Sequence, residues 1–267
     1  MYYRLISSRV MLTFAICRGQ DESVELTPRS SSEVWLDNDN PISPLLAPQE
    51  HMPPLYRIRS AAATEIIWKM QRCTSTFLVR WNHKREPHMI SSGQLASCDA
   101  ELQNIYSDLL LLPSAEDDHS PDWVYESCRI AALIYCRSIV HGATLADSAN
   151  IMHARISGSS SESGTLLSAL YSALGKTDVQ TCWGFDLSGV FLWVALVGAA
   201  ASRSPPRSSS EETLQASAWM RKCFALYAVR AAVSVPFDHA DATIHALRTM
   251  LQVRRYIATR TGPTLAH

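Results

Sequence analysis

The side chains best able to do chemistry in this 267-residue chain form several incomplete groups. His239-Ala240-Asp241 with His245 is the first, because histidines and carboxylates at short spacing on helices can hold zinc or iron. His239 and His245 are six residues apart, so a helix turns them to different faces, and no Glu stands between them in an H-E-x-x-H arrangement. Asp241 near a helix start serves as an ordinary cap. The seven cysteines (Cys17, Cys73, Cys98, Cys128, Cys136, Cys182 and Cys223) include no C-x-x-C pair and no neighbouring His or basic cluster that would activate a thiolate. Cys128 and Cys136 share a helix face but lie about 12 Å apart along it, too far for a disulfide. Most of the cysteines fall in apolar segments, where a thiol fills core space, and a reducing compartment suits them. No G-x-S-x-G, G-x-G-x-x-G or G-x-x-x-x-G-K-[ST] occurs.

Two charged clusters remain. Asp117-Asp118-x-x-x-Asp122 resembles the acidic box with which all-α terpene synthases hold magnesium against a diphosphate, and Arg254-Arg255-Tyr256 mimics their Arg-Tyr pair. The second metal box of that family, with its Asn, Ser and Glu, is missing. The aspartates also precede a helix, where a carboxylate on the positive end needs no ligand to explain it. Arg80-Trp81-Asn82-His83-Lys84-Arg85 is a basic run holding an aromatic, readable as a nuclear-import patch or a phosphate contact, or as cations closing a helix C-terminus. No catalytic, cofactor-binding, metal-ligating or DNA-binding residue is therefore assigned, and no cofactor is expected.

The elements that would carry these groups are helical. Hydrophobic residues make up 47% of the chain and charged ones 18%, against a usual ~25%, and there are only 10 glycines. The 24 Lys+Arg and 25 Asp+Glu leave a net charge of −1, without the basic excess of a free-standing nucleic-acid binder. Residues 1–54 read as a disordered arm: Met1–Cys17 imitates a signal peptide that Arg9 interrupts, and residues 18–54 are rich in Ser and Pro. Residues 55–260 read as one all-α, irregular domain of about eight helices, and 261–267 as a tail.

Leu55, Ile58, Ala62, Ile66, Met70, Cys73, Phe77 and Trp81 predict the first helix of that domain, with Pro87 and Ser91-Ser92-Gly93 ending it. Further helices are predicted over about Cys98–Leu112, from Pro121-Asp122 to Gly142, and over about Ala143–Ile156. The rest fall at Thr165–Leu174, Cys182–Ser202, Glu211–Val235 and Asp238–Arg260, with Ser/Gly- and Ser/Pro-rich loops at 157–164 and 203–210. The uncharged run Leu187–Ser202 has 16 residues, short of the roughly 20 that span a bilayer, and reads as a central helix buried on all sides rather than a membrane span.

The strings DWVYESCRIAALIY (122–135) and GFDLSGVFLWVALVGAAA (184–201) resemble the C-terminal regulatory region of fungal-specific, zinc-cluster transcription factors. The resemblance takes in the helix entry at Tyr56–Trp81, Leu102–Leu112 with its Pro113 stop, and Trp219 with Cys223, so that it spans about 55 to 260. Its marked residues are Trp123, Glu126, Arg129 and Trp193.

The resemblance implies a non-catalytic, nuclear, all-helical regulator of RNA polymerase II transcription. Family members carry a six-cysteine zinc cluster that reads DNA ahead of this region. Here the first 54 residues hold one cysteine, Cys17, so no zinc ligand or base-contacting residue carries over. Either that cluster is encoded upstream, or the protein works without its own DNA contact. The expected partners are a second copy, intact family members or co-regulators, and a small-molecule inducer, with no DNA contact and no membrane. Two alternatives stand beside it: a magnesium-dependent all-α enzyme of secondary metabolism, and a helical interaction scaffold. Glu126 and Arg129, three residues apart, can pair across one turn or reach neighbouring helices.

Overall fold

The chain is seen in a computed structural model that describes residues 2–19, 42–46, 61–85, 92–117, 119–152, 164–184, 187–203 and 211–261. Among these residues there are nine α-helices: α1 (Tyr2–Arg18), α2 (Ala61–Arg85), α3 (Ser92–Leu110), α4 (Trp123–His141), α5 (Leu145–Ala149), α6 (Leu166–Gly175), α7 (Ser188–Ala201), α8 (Glu211–Ser234) and α9 (Ala240–Thr261). They contain no strand, only an isolated antiparallel bridge between Met152 and Thr165. The chain is all-α, as its composition and periodicity predict.

The helix apolar on every side is α7. Each residue from Gly189 to Ala201 is buried. Such a helix has no polar face to offer water and is stable only when other elements enclose it. Five helices do so: α1, α4, α5, α6 and α8 all pack against it. α8 approaches α7 closely at Gly198, where a Cβ would overlap the ring of Phe224. α7 begins later than the predicted Cys182. The Asp178 carboxylate accepts the N–H groups of Gln180 at 2.7 Å and Thr181 at 3.0 Å, which holds the chain in a turn there. Trp183 then folds inward, donating from Nε1 to Thr177 Oγ1 at 3.0 Å and packing on Phe191 with ring centres 5.3 Å apart.

α4 is the second axis of the core, packed against α2, α3, α5, α6 and α7. Asp122 caps its start by accepting the Tyr125 N–H at 3.0 Å. Gly142, at φ 65°, ends it in the left-handed conformation that glycine adopts without strain. The Arg260 guanidinium of α9 reaches the same end and donates to the Ile139 carbonyl at 2.8 Å. α2 and α3 are stitched along their exposed seam by the Lys69–Asp108, Arg72–Glu101 and Arg80–Asp99 ion pairs.

The N-terminal arm is corrected in two places. Residues 2–18 form α1, whose Leu12, Ile16 and Cys17 are buried. Arg9, which breaks the apolar run in the sequence, is itself only 2% exposed, because the last turn of α8 and the two residues after it offer it acceptors. It donates from Nη1 to the carbonyls of Val235 (2.8 Å) and Ala232 (3.3 Å), and from Nη2 to that of Pro236 (3.1 Å). Within the stretch read as linker, Ile42, Leu45 and Leu46 are buried, and Gln71 Nε2 donates to the Ser43 carbonyl at 3.1 Å. The rest of the predicted arm, Leu55, Ile58, the 157–163 part of the Ser/Gly loop, the 204–210 part of the Ser/Pro loop and the 262–267 tail lie outside the described residues.

Two helix ends also differ. α3 begins at Ser92 rather than Cys98, since Ser92-Gly93 is read as a stop but starts a helical turn. α5 ends at Ala149, because the chain must turn there to set Met152 against Thr165 and to let Leu166 N–H donate to the Ile151 carbonyl at 3.1 Å.

Two glycines face opposite demands, Gly198 in the α7–α8 contact and Gly175 at the open end of α6. Gly198→Ala should destabilise the fold by about 1–3 kcal/mol despite alanine's better helix propensity, because the buried Phe224 ring must move. Gly175→Ala, at the open end of α6 with nothing near a new Cβ, should be neutral or stabilising by up to about 1 kcal/mol. Urea unfolding of the two variants measures both.

Candidate functional site

Three of the four marked residues, Trp123, Glu126 and Arg129, lie at the start of α4, and the fourth, Trp193, lies on α7. Arg129 binds the Glu126 carboxylate through both ends of its fork, Nε to Oε2 at 2.9 Å and Nη2 to Oε1 at 2.6 Å. Both residues are buried, at 2% exposure for Glu126 and 6% for Arg129. The carboxylate also accepts the Ala115 N–H at 3.0 Å and the Ser114 hydroxyl at 3.1 Å, while the Tyr125 hydroxyl donates to the Pro113 carbonyl at 2.7 Å. The pair thus does both things that the spacing allows: it closes across one turn and it clamps the loop between α3 and α4. Burial pushes the Glu126 carboxyl up, but the Arg129 guanidinium, the Ala115 N–H and the Ser114 hydroxyl together hold it below the ordinary glutamate range. Trp123 lies beneath the Lys176 ammonium, 3.6 Å from its ring centre.

A second polar group sits in the core between α2, α4 and α7. The Thr74 hydroxyl donates to the Met70 carbonyl at 2.9 Å, and the Tyr135 hydroxyl lies 3.0 Å from it. Beside them the Cys73 and Cys136 sulfurs are 3.7 Å apart, and the ring of Trp193 meets Tyr135 edge-on with centres 6.0 Å apart. All four of Cys73, Tyr135, Cys136 and Trp193 are fully buried. The contact with Cys136 and burial push the Cys73 thiol up, and burial does the same to the Tyr135 phenol and the Cys128 thiol. Protonated thiols in such surroundings are packing groups rather than nucleophiles. Burial also pushes Cys17 up, to about 11.

The sequence candidates for metal and phosphate chemistry are placed apart. Asp122 is committed to the cap of α4, Asp117 lies in the short 3-10 turn Ala115–Asp117, and Asp118 is outside the described residues. Arg254 donates to the Ile16 carbonyl of α1 at 2.9 Å, and Tyr256 stacks on Trp81 with ring centres 4.5 Å apart. The two halves of the acidic-box arrangement therefore serve different helix junctions. Arg80 of the basic run is held by Asp99, Nη2 to Oδ2 at 3.1 Å. His239 lies in a 3-10 turn and Asp241 in the first turn of α9, while burial and Arg248 hold the His245 imidazole below its ordinary range. Among the described residues no three His, Cys, Asp or Glu side chains come together as a metal ion would require. None of the described helices is long and apolar enough to cross a membrane.

One surface has no counterpart among the sequence candidates. Trp219, Leu226 and Val233 of α8 are 60%, 69% and 52% exposed. Their seven-residue spacing puts them on one face, opposite the Phe224, Ala228 and Ala231 side that covers α7. The signal was in the spacing, but α8 is apolar on both faces, and only its packing on α7 distinguishes the inner one. No family model, no curated protein and no solved structure matches this chain.

The Glu126 clamp predicts an acid sensitivity whose sign follows from the depressed carboxyl. Its stabilisation is present above the unfolded glutamate value, about 4.3, and is lost as pH falls through the lower folded value. Glu126→Gln should cost about 3–5 kcal/mol at neutral pH by leaving Arg129 buried and unpaired, and should flatten the fall in stability in acid. Glu126→Leu with Arg129→Met should recover most of that loss. Unfolding free energies measured from pH 3 to pH 7 check all three.

Proposed function

We propose that the chain is the regulatory domain of a fungal zinc-cluster-type transcription factor, acting in the nucleus through protein contacts and making no DNA contact of its own. The observation that carries this proposal is the fate of the resembling segments. Residues 123–135 belong to α4 and 188–201 to α7, the two helices about which the core is packed. The marked residues Glu126, Arg129 and Trp193 are buried there and Trp123 is covered by Lys176. In this proposal they hold a scaffold whose exposed helix faces meet a second copy, an intact family member or a co-regulator, and a small-molecule inducer acts by binding it. A magnesium-dependent enzyme would have to take Asp122 from the cap of α4 that it now makes.

Tethering tests the proposal directly. The whole chain, fused to a heterologous DNA-binding domain in a fungal host, should change transcription from a reporter carrying that domain's site, and a tagged copy should collect in the nucleus. A reporter that responds only as it does to the DNA-binding domain alone, from a folded and nuclear fusion, would contradict it.

A further inference from the structure

The outward face of α8 carries more than its apolar residues. Gln215, Trp219, Lys222, Leu226, Arg230 and Val233 are all exposed and recur at spacings of three and four, so they form one stripe. From Trp219 to Val233 it runs about 21 Å along the helix, close to four turns. Between Leu214 and Ser234 the sequence contains no carboxylate, so the stripe is basic as well as apolar. The N–H groups of Thr181 and Gln180 in its own turn hold the Asp178 carboxyl below its ordinary range, and Arg230 adds to this from α8.

The anchor of the stripe is positioned in advance. Trp219 Nε1 donates to the Tyr171 hydroxyl of α6 at 3.2 Å, and the Tyr171 ring meets Phe224 edge-on with centres 6.1 Å apart. An exposed indole held by its polar edge loses little freedom when a partner covers its ring. Tryptophan is also the side chain that most often dominates an interface.

We infer that this face of α8 docks an acidic amphipathic helix of another protein, one that presents apolar side chains to Trp219, Leu226 and Val233 and carboxylates to Lys222 and Arg230. Charge chooses this occupant over the others. A second copy paired antiparallel about Leu226 would set Lys222 against Arg230 and Trp219 against Val233, and a parallel pair would set each cation against itself. A bilayer surface takes a continuous apolar face with cations along its borders. Here the apolar residues Trp219, Leu226 and Val233 span only about 40° of the helix circumference between Arg230 and Lys222, far short of the roughly 100° apolar face of an amphipathic surface helix, so the strip suits a partner helix rather than a bilayer. The inference does not depend on a role in transcription.

The test uses the full chain and two synthetic helical peptides of one leucine pattern, the first with glutamates interleaved and the second with lysines in their places. Fluorescence anisotropy should show the acidic peptide binding, and more weakly as salt is raised, with the basic peptide at least about tenfold weaker. Trp219→Ser with Leu226→Ser should weaken the acidic peptide by about tenfold or more. Lys222→Glu with Arg230→Glu should reverse the preference between the peptides. The substituted residues are exposed, and unchanged helical circular dichroism checks that each variant folds. Absence of acidic-peptide binding, equal affinity for the two peptides, or indifference to the Ser variant would overturn the inference. So would a dimer that Trp219→Ser dissolves, or binding to anionic phosphatidylserine vesicles in place of the peptide.

Discussion

The structure depends on the burial of α7. From Gly189 to Ala201 it offers no side for water, so its stability is borrowed from whatever surrounds it. Fully burying one Val, Leu or Phe side chain contributes roughly 1.5–3 kcal/mol, and α7 contains Val190, Phe191, Leu192, Val194, Leu196 and Val197 in a single run. That driving force fixes where α1, α4, α5, α6 and α8 must lie. The absence of a side chain at Gly198 sets how near α8 can come.

Burial on that scale brings helix ends into the interior, where their last carbonyls lack partners. Three arginines meet this need across long stretches of chain. Arg9 of α1 donates to the carbonyls ending α8, Arg254 of α9 to Ile16 near the end of α1, and Arg260 of α9 to Ile139 near the end of α4. Cations at helix C-termini also complement the macrodipole. The same groups thus join the first described helix to the last. Glu126 with Arg129 does the equivalent work at the start of α4, satisfying a loop N–H and each other at once.

Much of this was legible in the sequence, for identifiable reasons. The unbroken apolar run of α7, the Asp122 cap and Gly142 stop of α4, and the three-residue spacing of Glu126 and Arg129 are local signals, and the structure has each of them. α1 was misread because Arg9 in an apolar run argues against burial until its acceptors, more than 200 residues away at the end of α8 and just beyond it, are known. The Thr74–Tyr135 and Cys73–Cys136 contacts escaped for the same reason, each joining α2 to α4 over some sixty residues. Spacing along one helix, which correctly kept Cys128 from Cys136, is silent about a cysteine on another. The exposed face of α8 was hidden by a different cause, since its apolar residues occur on both sides and only α7 decides which side is covered.

The enclosure of α7 by a chain that includes α1 is most directly tested by native-state hydrogen exchange on the whole protein. The amides of α7 from Val190 to Ala200 and those of α1 from Arg9 to Ile16 should exchange through one global opening, with the same free energy. Arg9→Ala should lower both by equal amounts. If α1 instead exchanges orders of magnitude faster than α7, and Arg9→Ala leaves the protection of α7 untouched, then α1 is not a wall of the core and the account of the fold is wrong.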